Sequence, residues 1–324
     1  MNIRNNHLWI CLPALLLAAG SVLAGVQHVT ECGTVLTEPG NYHLEKNLLD
    51  CPEFGVVIGG SNIKLDLKGH LVACAESDAP TLGLGLIGSS EAAVSNITVG
   101  HGYVANCHDG ILLSNAEDSK VMKMTSSGNH LWQGMFGTGI TVWKSHNNVI
   151  MKNHFFGNAS TGIGSWQSSG NIFKHNTSNG NGDGLWVGSG IDVGTTTDSL
   201  FLCNRLYGNV DGIILAEGST GNHIKGNDAS RNIVSGIDML GYAWEGYLWE
   251  PIPGGNTIEK NIAENNGWFD LSEIYYDLVT DDVFVNPDGT CMNTWQMNRF
   301  GTEFGTPGCF GVSFDLEDVC ASDD

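Results

Sequence analysis

Positive charge is scarce in this 324-residue chain: 14 Lys and Arg stand against 35 Asp and Glu, a formal net charge of −21. A surface of that sign repels nucleic acid and anionic membrane, so neither is expected as a partner. It also repels polyanionic sugar unless a cation bridges the two. The shortage deepens toward the end, where nine acids and one base, Arg299, follow residue 280. Long apolar runs are missing after residue 24, which leaves no candidate membrane span in the remainder. No CxxC pair or Cys/His spacing of a zinc site occurs. Prolines number 8 against 44 glycines, so the turns must be built from glycine and asparagine.

Residues 1–24 read as a secretory signal: Arg4, an apolar run from Leu8 to Ala19, then Val22-Leu23-Ala24 with small residues at the cleavage positions. An extracellular or periplasmic setting is the expectation, and with it oxidation of the eight cysteines left after Cys11. Cys32–Cys51 and Cys291–Cys309 are the pairs expected near the two ends. The partners of Cys74, Cys107, Cys203 and Cys320 stay open.

The remainder repeats. "NNVIMKNHFFGNASTGIG" (147–164), "GNIFKHNTSNGNGDGLWV" (170–187), "DSLFLCNRLYGNVDGIIL" (198–215) and "GNHIKGNDASRNIVSGIDM" (221–239) share one order: Asn or Ser, a short apolar strand, Asn, a second Asn five residues on, then Gly and an aliphatic residue. With anchors at His101, Met124, Asn153, Asn176, Asn204, Asn227 and Asn261, the spacings are 23, 29, 23, 28, 23 and 34, a period of 23 with insertions. The second asparagine follows each anchor, from Asn106 through Asn129, Asn158, Asn181, Asn209 and Asn232 to Asn266. Such short strands bury a face only by stacking coil on coil, about 4.8 Å apart. One internal stack is expected from Val121, Ile150, Phe173, Phe201, Ile224 and Ile258. A second is expected from Ile111, Ile140, Ile163, Leu185, Ile213 and Ile237. The asparagines belong at a corner, where amides pair from coil to coil.

This pattern resembles the right-handed parallel β-helix family of pectin-lyase-like secreted proteins, especially its NosD-type periodic branch. "GVVIGGSNIKLDLKGHLV" (55–72) is similar to the family's opening coils, and "CMNTWQMNRFGT" (291–302) to a closing segment. The resemblance implies an all-β, single-domain right-handed parallel β-helix solenoid with disulfide-stabilised ends. Its parts are an N-terminal cap over 25–54, the helix over 55–270, and a C-terminal cap with an acidic tail over 271–324. It also implies a carbohydrate-active protein: a polysaccharide lyase, epimerase or hydrolase. The Asp-Pro-His-Asp motif of the uronan epimerases and the Asn-Thr-Asp motif of the polygalacturonases are absent, so their catalytic residues do not carry over.

Insertions mark a decorated face. They fall at "HLWQGMFGT" (130–138), around "GSGIDVGTTTD" (188–198) after the Gly-Leu strand, and at "YAWEGYLWEPIPGG" (242–255). Long loops around one face of a rigid scaffold are a usual way to build a site. If the aliphatic residue after glycine points inward, the next points out. The outward set includes Thr141, Trp143, Gly164, Trp166, Trp186, Ile214, Ala216 and Asp238. Trp143, Trp166, Trp186, Trp132, Tyr242, Trp244 and Trp249 are the candidate sugar-stacking residues, since flat rings suit the apolar faces of sugars. Asp183 and Asp211, each before a Gly-aliphatic pair, join Asp238 as candidate acid/base carboxylates. Lys144, His146 and His130 are the candidate bases for a lyase or epimerase. No cofactor is required; Ca²⁺ bridging carboxylates to an anionic substrate is the metal role open to the pattern, and no metal-ligand residues are assigned. Two alternatives stand beside the polysaccharide enzyme: an isomerase or cyclase holding a smaller apolar molecule in a Trp-lined pocket, and a non-catalytic glycan-binding or surface protein.

Overall fold

A computed structural model describes residues 25–132, 135–182, 188–245, 247–280, 282–313 and Cys320. Every regular element among them is a strand, and no helix there is long and apolar enough to cross a membrane. Each coil feeds strands into two long sheets, paired in parallel along nearly their whole length. One begins at Gln27–Val29 and ends at Thr294–Gln296; the other runs from Thr34–Leu36 to Val283–Val285. A narrower third face is joined by single bridges linking Glu117, His146, Ser169, Thr197 and Thr220. The result is a single-domain parallel β-helix with one continuous core.

The repeat works through its corners. Lys152, His175, Cys203 and Lys260 all have φ near +54°. Each is followed by an asparagine that bonds to its equivalent in the next coil. The amide Nδ2 of Asn153 donates to Asn176 Oδ1 (3.1 Å), and Asn176 to Asn204 (3.0 Å). Asn204 donates in turn to Asn227 (2.9 Å), Asn227 to Asn261 (3.0 Å) and Asn261 to Asn298 (3.1 Å). A second ladder joins Asn129, Asn158, Asn181, Asn209, Asn232 and Asn266 at 2.7–3.3 Å. A third, not anticipated, runs through Asn148, Asn171, Ser199, Asn222, Asn256 and Asn293. Two ladders end on carboxylates: Asn266 donates to Asp270 (2.8 Å) and Asn293 to Glu273 (3.2 Å). Each ladder amide thereby has a protein partner.

Close approach of neighbouring coils dictates the glycine before each inward isoleucine. A methyl at Gly190, Gly212 or Gly236 would first meet the backbone oxygen of Gly212, Gly236 or Asp270 in the next coil, and then the ladder Nδ2 of Asn209, Asn232 or Asn266 at 2.7–2.9 Å. Asparagine and glycine therefore recur as a matched pair.

Val121, Ile150, Phe173, Phe201, Ile224 and Ile258 form the first expected stack, all fully buried, with Phe173 and Phe201 stacked at 4.9 Å. The second stack corrects one coil. Ile163 pairs with Ile191 and Ile191 with Ile213, so Ile191, not Leu185, fills the core position. The insertion of that coil precedes its strand rather than following it, and Leu185 lies outside the described residues. The first anchor also shifts by one, because Gly102 rather than His101 pairs with Met124. Asn106 is then exposed, and the backbone N–H of Cys107 takes its place beneath Asn129, donating to Oδ1 at 3.1 Å. Disulfides join Cys32–Cys51 and Cys291–Cys309, as expected near the ends, together with Cys74–Cys107 and Cys203–Cys320.

Candidate functional site

The strand face that follows each glycine carries a cavity of about 680 Å³. Its floor is set by register. Gly164, Asp192, Ile214, Asp238 and Ser272 are neighbours across successive strands, all at the position after the inward residue. Ser189, Asp211 and Ser235 form a second row, three residues earlier, that lines the same cavity. Asp192 and Asp238 flank Ile214, two strand spacings or about 10 Å apart at the backbone. Two of the strands are unusually long, Ser235–Trp244 and Phe269–Asp277, and each folds back into an antiparallel hairpin. From them come Tyr242, Phe269 and Tyr276, joined by Trp268 at the preceding corner. Aliphatic side chains such as Val210, Val234 and Leu240 fill the remaining wall.

Three carboxyls in so apolar a space resist ionisation. Burial, then the charges of Glu217 and Asp211, pushes Asp192 up to about 7, against a hydrogen bond from the Val193 backbone. Burial, then Asp211, pushes Asp238 up to about 8, opposed by Ser272 Oγ donating at 2.8 Å. Asp211 is also raised by burial, but Ser235 donates to its Oδ1 from both backbone N (3.0 Å) and Oγ (2.6 Å), which favours its charge. Burial, then Asp192 and Asp238, raises the Tyr242 phenol. Among the described lining residues there is no Lys, Arg or His. No group of three His, Cys, Asp or Glu is placed to hold a metal among the described residues.

The sequence-derived candidates divide. Asp211, Asp238 and Tyr242 converge on the cavity. Asp192 was missed, although "SGID" at 189–192 and again at 235–238 is the signal that identifies it. Asp183 and Trp186 lie outside the described residues, and the equivalent of Asp211 in that coil is Ser189, not Asp183. Trp143 and Trp166 are register neighbours, as the repeat requires, but they lie two residues beyond the floor position and do not line the cavity. The Trp166 ring lies over Gly164 and beside Gly194, where no side chain would fit. Trp143 is 37% exposed, with Lys144 Nζ 5.7 Å from its ring. Lys144 sits at a corner and His146 on the third face, bonded to Ser169 Oγ (2.8 Å), so neither reaches the carboxyls. His130 packs against His108, with ring centroids 4.4 Å apart, and neither lines the cavity. The backbone of Trp132, Trp244 and Trp249 is in hairpins flanking this face; their side chains are outside the description.

The profile described as "Right handed beta helix region" matches residues 47–229, more than half of the chain. The chain belongs to the right-handed β-helix family. No curated protein sequence matches this β-helix. Among solved structures, the A-module of a mannuronan C-5 epimerase from Azotobacter vinelandii is similar at TM-score 0.63 and 13% identity, covering 91% of this chain and 86% of its own. A periplasmic alginate epimerase is similar at TM-score 0.52 and 12% identity, covering 87% and 73%. A DFA-IIIase from Arthrobacter chlorophenolicus A6, solved with DFA-III, is similar at TM-score 0.53 and 10% identity, covering 90% and 73%. At these identities the likeness is one of fold.

Proposed function

We propose that this β-helix cleaves glycosidic bonds in neutral carbohydrate by carboxyl acid/base catalysis. The observation that carries the reading is the grouping of Asp192, Asp211 and Asp238 in a cavity with no cationic side chain among its described lining. A uronan lyase or epimerase needs a neutralised substrate carboxylate and a base; Lys144, His146 and His130 lie elsewhere. Glycoside hydrolysis needs a protonated carboxyl and an ionised one. Asp238, held up to about 8, is the proton donor to the leaving oxygen. Asp192, held up to about 7, is the base that activates water above that pH. Backbones two strand spacings apart, about 10 Å, on one face of the sheet lie near the upper end of the roughly 6.5–9.5 Å carboxyl separation of inverting enzymes. Asp211, anchored by Ser235, is the neighbouring carboxyl whose charge opposes ionisation of Asp238. Tyr242, Trp268 and Tyr276 stack on the sugar. Export to an extracellular or periplasmic space fits such a substrate.

The test is a panel of neutral glycans and polyuronides, with and without Ca²⁺, read by reducing ends and by unsaturated-uronide absorbance. Neutral glycan cleavage without Ca²⁺ is expected, with an inverted anomeric centre by NMR and a loss of at least ~100-fold in Asp238→Asn. Activity confined to polyuronides, or full activity in Asp238→Asn, sinks the reading. The aliphatic wall of Val210, Ile214, Val234 and Leu240 favours one second reading, an isomerase or cyclase protonating a small apolar molecule from Asp238.

A further inference from the structure

The acid cavity sorts its polar and apolar groups by position. Polar side chains hold the floor: Ser189, Asp211 and Ser235 in one row, Asp192 and Asp238 in the other. The sides are mostly apolar. On one side Gly188, Val210, Val234 and Trp268 form a corner row through successive coils, joined by backbone hydrogen bonds of 2.8–2.9 Å. On the other, Leu240 pairs in register with Ile274, and beyond them Tyr242 pairs with Tyr276. One aliphatic residue breaks into the floor itself. The position that holds Gly164, Asp192, Asp238 and Ser272 in neighbouring coils holds Ile214 between the two aspartates. The core does not need it, because Ile213 and Leu215 on the same strand are fully buried on the other face. Ile214 lies one strand spacing from Asp238, about 4.8 Å at the backbone. Leu240 follows Asp238 by two residues on the same face, about 6.7 Å along the strand. Ile214, Leu240 and Ile274 thus border a slot beside Asp238, and none of the three has a polar side-chain atom. Ile214 and Leu240 each keep part of their surface open.

We propose that this slot receives the exocyclic methyl group of a 6-deoxyhexose, so that the cavity selects deoxy sugars over their 6-hydroxy parents. The inference rests on the hydrolytic reading of the cavity and names its substrate class. In a 6-deoxyhexose the methyl stands on the ring carbon that flanks the ring oxygen, with the anomeric carbon on that oxygen's other side. A methyl in the slot therefore leaves the scissile bond beside Asp238. The ring hydroxyls then face the polar floor, where carboxyl oxygens and Ser189 can pair with them. The parent hexose puts a hydroxyl where the methyl goes, and a dry aliphatic slot gives it no partner. A hydrophobic pocket rejects such an added hydroxyl by ~10- to 100-fold. An N-acetyl group also brings a methyl, but its carbonyl and N–H enter the slot unpaired. A wholly apolar ligand fills the slot and leaves the carboxyls of the floor without partners. A deoxy sugar satisfies both halves of the cavity.

Calorimetric binding of methyl glycosides to the full chain tests this, using pairs that differ only in the hydroxyl on the exocyclic carbon. The pairs are L-fucoside with L-galactoside, L-rhamnoside with L-mannoside, and 6-deoxy-D-glucoside with D-glucoside, each as both anomers. In at least one pair the deoxy sugar should bind at least ~10-fold more tightly. The N-acetylglucosaminide should bind no better than the D-glucoside. Leu240→Asn, close to leucine in size, adds a donor and an acceptor at the slot and should bring the preferred pair to within about threefold. Ile214→Thr should act in the same direction, and melting curves of both variants show whether they are folded. Parity or a parent preference in every pair, or no binding at all, overturns the proposal. So does an undiminished preference in the folded variants, or tighter binding of the N-acetyl sugar. Hydrolysis of the same pairs as nitrophenyl glycosides, and of neutral glycans, is read separately. Cleavage without deoxy preference overturns the slot and leaves the hydrolytic reading standing. Deoxy preference in binding without any cleavage removes hydrolysis and leaves the slot.

Discussion

Asp238 shows how one buried carboxyl ties stability to chemistry. In the unfolded chain an aspartate titrates near 3.9; in the folded protein Asp238 rises to about 8 and Asp192 to about 7. A raised folded value means that the native state holds the proton more tightly. The contribution is fully present below the unfolded value and is lost as pH rises through the folded one. Stability should therefore decline between about pH 4 and pH 8. Asp238→Asn, which keeps the shape without the charge, should raise the melting temperature at pH 8 and leave it nearly unchanged at pH 4. Equal shifts at both pH values would contradict the assignment. In the proposed hydrolysis Asp192 must be ionised and Asp238 protonated, so kcat/KM should follow a narrow bell with its maximum between about pH 7 and 8. A plateau extending to pH 5 or to pH 10 would exclude this pair. Asp238 was legible from alternation alone, because an outward-facing aspartate in a strand is out of place.

At the scale of the element, the unit is a corner residue, its ladder amide and the glycine that makes room for it. Asn204 donates to Phe173 O (2.9 Å) and Asn227 Oδ1, and accepts from both N–H groups of Asn176. Asn204→Leu strands these partners in a dry interior and should cost at least ~3 kcal/mol in chemical denaturation, by summing unsatisfied groups of about 1–3 kcal/mol each. A loss below ~1 kcal/mol would show that the ladder is dispensable. The ladder is also why the fold was readable: amides that bond to their equivalents in the next coil fix the spacing whatever the loops do. Phase was less secure. "DGLW" at 183–186 imitates "DGII" at 211–214, and periodicity alone could not tell it from the true strand at "SGID". The choice displaced one core residue and hid Asp192.

Across the whole molecule, what escaped the sequence is what depends on distant coils meeting. Residues 242–255 read as a loop, yet the strand Ser235–Trp244 runs on through the first of them and turns back at Tyr247–Glu250, walling the cavity. The pair Cys203–Cys320 joins positions 117 residues apart and has no spacing signature. Closing so long a loop removes about 4–5 kcal/mol of unfolded-chain freedom in the entropy account. Cys320→Ser should therefore lower the denaturant midpoint clearly, and an unchanged midpoint would mean that the tail contributes nothing to the fold's stability. The matched corners have a further consequence for size. Because every coil meets its neighbour through the same contacts, length is additive. Inserting a second copy of residues 147–169 would set Trp143 one strand spacing, ~4.8 Å, farther from Asp192 while leaving distances within either half untouched. The molecule is a ruler graduated in coils, and the span of ligand it can hold is fixed by counting them.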